Sequence, residues 1–229
     1  RNLPPTETDG AVSGYPSVQV VAASSWKIPM GNGISKSKLL QRCAQRYKMP
    51  IGFPAGNHPP THPLCTSDTG IMTAQFATKR VLVTGSCGTI GRELIRRLIA
   101  MENGPAEVFG IDNNESALFM QGVDEGRDPR ARFRLCDVRD VHALRGVMEG
   151  IDIVLHAAAL KHVVICEEMP LQAFATNVTG LQNVIDAAID CKVERVIVTS
   201  SDKAVHTNCD MGLTKLLGER LISAANAGR

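Results

Sequence analysis

Gly85, Gly88 and Gly91 recur at three-residue spacing between a short apolar run, Val81–Val83, and a stretch whose apolar residues (Leu94, Ile95, Leu98, Ile99) fall at helical spacing. A strand, a tight turn and a helix in that order can receive a diphosphate. Gly85 would let the chain turn sharply off the strand, Gly88 would let the phosphates approach backbone, and Gly91 would let helix and strand pack closely. The open N–H groups of the helix start would then face the phosphates. A second apolar run, Val108–Ile111, ends in Asp112, 21 residues beyond Gly91. That is where a carboxylate would hold a ribose 2′-hydroxyl. The competing reading is a glycine-rich turn between packed elements with no ligand.

A second set of reactive groups lies later in the chain. Thr199-Ser200-Ser201-Asp202-Lys203 follows the apolar run Val196–Val198, and Met211 and Lys215 stand four apart on one face of a predicted helix. Hydroxyl, carboxylate and two ammonium groups would converge at the carboxyl edge of a strand, where open α/β sheets place their chemistry. Without the glycine turn upstream, Asp202-Lys203 reads as an exposed turn. Between the two sets lie Asp137, which could accept from an adenine amine or cap the next helix, and His156-Ala157-Ala158-Ala159-Leu160-Lys161-His162. The small residues there would let a flat cofactor pass close to backbone; His162 reads as a surface histidine. Asn177 and Gly180 fall one turn apart on the helix beyond.

These residues need a scaffold, and from Lys79 the pattern supplies one. Apolar runs at Val81–Val83, Val108–Ile111, Phe133–Leu135, Ile151–Leu155 and Val196–Val198 alternate with helical stretches at about 90–101, 115–122, 140–148, 170–190 and 211–226. Alternation of this kind predicts an α/β fold, a doubly wound parallel sheet of the Rossmann type. Residues 1–78 differ. They hold nine of the twelve prolines, so an irregular segment of unknown role is expected, with a short strand at Val18–Ala23 and one helix at Lys36–Tyr47. His58, His62 and Cys65 match no zinc spacing, and a solvated loop is expected there. The division is therefore 1–78 and 79–229.

Bulk properties agree with a globular protein: 229 residues, 44% apolar, 21% charged and net charge +2. Nothing in that balance calls for nucleic acid. Seven cysteines without a Cys-x-x-Cys pair suggest neither a disulfide framework nor a metal site, and a reducing cytoplasm fits them. The longest apolar runs are too short for a membrane helix. The chain starts at Arg1 rather than methionine, as expected of a fragment or a processed product.

Taken together, Thr84-Gly85-x-x-Gly88-x-x-Gly91, Asp112 to Leu118, Asp137-Val138-Arg139-Asp140, His156 to His162, Thr176-Asn177-Val178, Ser201 to Val205, and Met211-Gly212-x-Thr214-Lys215 resemble the nucleotide-sugar 4,6-dehydratases of the extended short-chain dehydrogenase/reductase family. The similarity runs from about Lys79 to Leu221. It implies NAD(P) on Thr84, Gly85, Ser86, Gly88, Thr89, Ile90, Gly91, Asp112, Asn113, Asp137, Val138, Ala157, Ala158, Ala159, Lys161, Asn177 and Lys215. It implies a UDP-N-acetylhexosamine substrate beside Ser201, Asp202 and Lys203. Asp112 favours NAD over NADP by repelling a 2′-phosphate, although some relatives take NADP.

The reaction implied takes hydride from sugar C4, so that the 4-ketone acidifies the C5 proton. That proton and the C6 hydroxyl then leave as water, and hydride returns at C6. The expected roles are Asp202 as acid and Lys203 as base, if burial shifts both toward neutrality. Lys215 would hold the ribose, and Ser201 would bond the C4 oxygen. Met211 stands where most of the superfamily has a tyrosine, and a thioether cannot be a general base. This resembles the large membrane-anchored dehydratases of bacterial polysaccharide synthesis, which leaves C4 deprotonation to Asp202 or a water. Val164 in place of proline and Met169 in place of asparagine are smaller departures. Family members run about a hundred residues further and often pair through helices matching 170–190 and 211–226. The chain is therefore expected to lack the lobe that closes over the sugar, with its own activity in question. A 4-epimerase of the same fold and a silent NAD(P)-binding module are the alternatives.

Overall fold

The computed structural model describes residues 17–22, 75–205 and 207–227. The expected helix at Lys36–Tyr47 and the His58, His62, Cys65 group lie outside the described residues. Among the described residues six parallel strands form one sheet: β1 (Ser17–Ala22), β2 (Arg80–Thr84), β3 (Glu107–Asp112), β4 (Ala131–Leu135), β5 (Ile153–His156) and β6 (Arg195–Ser200). Their spatial order is β1-β6-β5-β2-β3-β4. The last five strands coincide with the apolar runs, and the direction of winding reverses between β2 and β5, beside the glycine turn. In an open α/β sheet that reversal opens a crevice at the strand carboxyl ends. Ser17–Ala22 matches the short strand expected near Val18–Ala23 and pairs with β6 in register from Ser17↔Arg195 to Ala22↔Ser200.

Helices cover both faces. They are α1 (Thr89–Ala100), α2 (Glu115–Asp124), α3 (Val141–Met148), α4 (Val163–Glu168), α5 (Pro170–Phe174), α6 (Gly180–Asp190) and α7 (Asp210–Asn226). The alternation of β2 explains the two layers, because successive side chains point to opposite faces. Val81 and Val83 pack with Ile95 and Leu98 of α1. Leu82 packs on the other face with Leu144, Val184 and Ile222 of α3, α6 and α7. All three β2 residues are fully buried, so each contributes roughly 1.5–3 kcal/mol of apolar burial.

Two details differ from the sequence reading. The stretch expected as one helix at 170–190 is α5, a π-helical turn at Ala175–Thr179, and α6. The short helix α4 precedes it, in a stretch for which no helix is expected from the sequence. Pro170 does begin α5, at a position where its missing N–H costs nothing. The cap of α3 is Asp140, whose carboxylate accepts from His142 N and Ala143 N, both at 3.0 Å. That removes the capping alternative for Asp137.

Candidate active site

The glycine turn is built as its spacing predicts, with one change of reason. Gly85 has φ +67°, and a Cβ there would lie 2.6 Å from the Ala158 Cα. The turn therefore rests on the small residues that follow β5. A Cβ at Gly91 would lie 2.1 Å from the Gly85 carbonyl oxygen, so Gly91 serves the turn itself more than helix–strand packing. A Cβ at Gly88 would meet only the Gly85 oxygen, at 3.2 Å. The protein alone does not demand a glycine there, as expected where a ligand comes close. Gly88 is the N-cap of α1, no side chain caps it, and the first turn carries no acidic residue. Gly88, Thr89 and Ile90 are exposed. The Gly88 N–H is taken by the Gly85 carbonyl at 3.1 Å, which leaves the helix-start donors that follow it, with no acidic residue in the first turn, to fit a diphosphate.

The turn is held from three sides. Ser86 N donates to the Ile111 carbonyl at 3.0 Å. Asp112 accepts from Cys87 N at 3.1 Å and from Asn114 N at 3.0 Å. Gln121 of α2, which sequence reasoning missed, receives the Ser86 hydroxyl at 2.9 Å and returns its amide to the Ser86 carbonyl at 3.0 Å. One turn further, the Glu125 carboxylate takes Arg92 at 2.8 Å and Arg96 at 2.9 Å, tying α2 to α1. The available signal was polar Gln121 and Glu125 on the same helical face as Leu118, since all three are buried.

Across the crevice, Asp137 is engaged by neighbours. Arg139 binds it with a shortest contact of 2.6 Å, and Asn113 Nδ2 donates to it at 3.2 Å. Chiefly the Arg139 bonds hold its carboxyl down at about 2. Val138 is buried against Gly180, where an added Cβ would come within 2.9 Å of its side chain. Ala157, Ala158 and Ala159 are half-buried and Lys161 is exposed. Thr84 Oγ1 lies 2.8 Å from His156 Nδ1, and both residues are buried. Desolvation, with a smaller effect of Lys215, pushes His156 down to about 3, so the ring is neutral at physiological pH. Asn177 sits in the π turn with both ends of its amide committed: it accepts from Leu160 N at 2.8 Å and donates to Leu160 O at 2.9 Å and Thr214 Oγ1 at 3.0 Å. It fixes the loop after β5 against α7.

The second set of groups forms at the carboxyl end of β6. Ser201 caps a 3-10 turn, Asp202–Ala204, accepting from Lys203 N at 3.3 Å and donating to Asp202 at 3.1 Å. Asp202 and Lys203 are both exposed, so the burial that their acid–base division asks for is not found on this turn. The turn packs on the start of α7: a Cβ at Gly212 would lie 2.4 Å from the Lys203 carbonyl oxygen. Met211, 4% exposed, is buried with Cys166 and Ala173 in a small apolar cluster, where it can neither donate nor accept a proton. Lys215 Nζ donates to the Thr199 carbonyl at 3.1 Å. Burial pushes Lys215 down to about 8, against the opposing pull of Glu219. The cysteines at 87, 136, 166, 191 and 209 are free thiols, and no metal-holding group of side chains occurs among the described residues. No helix among the described residues is long and apolar enough to cross a membrane.

Comparison with known proteins places these features. A family model described as polysaccharide biosynthesis protein matches residues 81–229. An uncharacterized membrane protein of Methanocaldococcus jannaschii is 44% identical over 151 residues, covering 66% of this chain and 44% of that protein. A UDP-glucose 4-epimerase of Rickettsia felis is 37% identical over 156 residues, covering 65% and 44%. The X-ray structure of Pen from Bacillus thuringiensis superposes with a TM-score of 0.62 at 40% identity, covering 66% of this chain and 45% of that one. A dTDP-glucose 4,6-dehydratase of Streptomyces venezuelae, solved with NAD and TYD bound, gives 0.58 at 26% identity, covering 65% and 52%. The chain thus spans less than half the length of the two curated relatives and about half of the Streptomyces venezuelae chain.

Proposed function

The chain belongs to the polysaccharide biosynthesis protein family, within the NAD-dependent epimerases and dehydratases of the extended short-chain dehydrogenase/reductase superfamily, and on that premise we propose that it forms the dinucleotide-binding part of a UDP-N-acetylglucosamine 4,6-dehydratase. The observation that carries this reading is the Ser201-Asp202-Lys203 turn seated on Gly212 at the carboxyl end of β6, with methionine rather than tyrosine at 211. A carboxylic acid beside an amine suits elimination of water. A site without a phenol has no other evident base at that position.

NAD would lie along the glycine turn, its diphosphate close to Gly88 and on the N–H groups at Thr89 and Ile90, and its adenosine between Asp112 and Asp137. When bound, the nicotinamide supplies the hydride acceptor and donor. The chain's own groups do the rest. Ser201 bonds the sugar C4 oxygen. Lys215 binds the ribose and lends positive charge to the developing C4 alkoxide. Asp202 protonates the departing C6 oxygen, and Lys203 takes the C5 proton. Both lie on an exposed turn, so closure of further protein over the sugar is needed to desolvate them. Deprotonation at C4 falls to Asp202 or to a water held there.

A 4-epimerase is the second reading, favoured by the similarity to the Rickettsia felis protein. The two differ at Asp202 and Lys203, because epimerisation needs no acid at C6. Asp202→Asn and Lys203→Ala, made in a protein that carries this chain at the length of its relatives, are expected to lower dehydration by about 10²–10⁴. Turnover that survives both changes would contradict the assignment. Membrane anchoring of the whole protein and pairing through α5–α6 and α7 belong to the same proposal.

A further inference from the structure

A small cavity behind the catalytic edge is lined by His156, Asn177, Thr199, Ser200, Lys215 and Glu219, among others. Lys215 and Glu219 stand one turn apart on α7 and face it together. Glu219 Oε1 accepts the Ser200 hydroxyl at 2.5 Å, and Ser200 is itself 6% exposed. The Lys215 ammonium donates to the carbonyl of Thr199, the preceding residue. Consecutive residues at the end of β6 therefore hold the two side chains, one by backbone and one by hydroxyl. We propose that Glu219 is a positioning residue that shares this cavity with Lys215 and keeps its ammonium charged, with Ser200 fixing the orientation of its carboxylate. The role of Lys215 on the cofactor rests on the functional reading above; the placement of both side chains on one cavity does not.

The charges around the ammonium support this. β5 contributes His156, which burial and the neighbouring Lys215 keep neutral above about pH 3. The π turn contributes Asn177 and β6 contributes Thr199 and Ser200, all uncharged. Glu219 is the carboxylate among the described residues that line the cavity. Burial alone drives a lysine toward its neutral form, and a nearby anion opposes it. With Lys215 already near 8, loss of that anion would move the amine further toward its neutral form. Met211 sharpens the consequence, since the residue one turn before Lys215 offers no phenol for it to polarise. The sequence hides the pair, because Lys-x-x-x-Glu on a helix reads as an ordinary surface contact.

The test is a titration of the lysine side chains of the 229-residue chain, labelled with 13C at Cε and followed by NMR, with Lys215→Met to assign the signal. The expected midpoint for Lys215 is about 8. Glu219→Gln is expected to lower it by about one unit or more, Glu219→Asp to recover part of the loss, and Ser200→Ala to lower it by less. A Glu219→Gln variant that still melts cooperatively and shows the wild-type midpoint would overturn the proposal. If Glu219→Gln fails to fold, the Ser200→Ala midpoint decides, and no shift there overturns it. NAD titration of the same variants separates the two claims: absence of binding in the wild type contradicts the functional reading, while the midpoint still decides the pairing.

Discussion

The Asp112 carboxylate accepts the backbone N–H of Cys87 at 3.1 Å, and so joins the end of β3 to the middle of the glycine turn. A fixed negative charge thus stands where the adenosine ribose would lie, oriented before any ligand arrives. Arg139, beyond the end of β4, is engaged by Asp137.

That arrangement predicts a preference for NAD. Equilibrium titration of the chain is expected to give at least about tenfold tighter binding of NAD than of NADP, equivalent to about 1.4 kcal/mol. Asp112→Ser should narrow the gap mainly by weakening NAD. Equal affinities in the wild type would contradict the role given to Asp112.

The three glycines should separate by phenotype. Gly91→Ala forces a Cβ to within 2.1 Å of the Gly85 carbonyl oxygen, an overpacking that is expected to cost about 1–3 kcal/mol or more. Gly88→Ala meets nothing closer than 3.2 Å and should melt near the wild type while binding dinucleotide more weakly. Thermal melts with and without NAD read both effects.

Legibility in the sequence followed the range of the interactions. β2 to β6 and the glycine turn were readable because apolar runs, period and turn chemistry are local signals. Gln121 was not, because a buried polar residue declares itself only when its partner, Ser86, is known to face it. The π turn at Ala175–Thr179 was invisible for a related reason: it places Asn177 against Leu160 and Thr214, contacts that no helical periodicity encodes. The resemblance pointed to Asp202 and Lys203 by type and order and asked for their burial, whereas the residues taken alone read as the exposed turn that the structure has.

His156 makes stability pH-dependent in a defined window. Its folded value of about 3 lies below the ordinary value of 6.5, so between these pH values the unfolded chain binds a proton that the folded chain refuses. Stability is then full above about pH 6.5 and falls with acidification, by about 1.4 kcal/mol per pH unit from this group. Melting at pH values between about 7.5 and 5 should show that slope, and His156→Gln should flatten it. An unchanged slope in the variant would show that the ring titrates in the fold.

Met211 is expected to be structural. Its side chain fills an apolar cluster with Cys166 and Ala173, so Met211→Leu conserves volume and should cost less than about 1.5 kcal/mol. Met211→Tyr would bury a hydroxyl in that cluster and should cost about 1–3 kcal/mol if no partner is found. Chemical denaturation of the two variants distinguishes these outcomes.

The most direct test of the account is the product formed from UDP-N-acetylglucosamine and NAD in deuterated water, by a protein that carries this chain at the length of its relatives. The account predicts a 4-keto-6-deoxy sugar nucleotide that has lost one water and carries solvent deuterium at C5. A C4 epimer of unchanged composition, with no deuterium at C5, would contradict it.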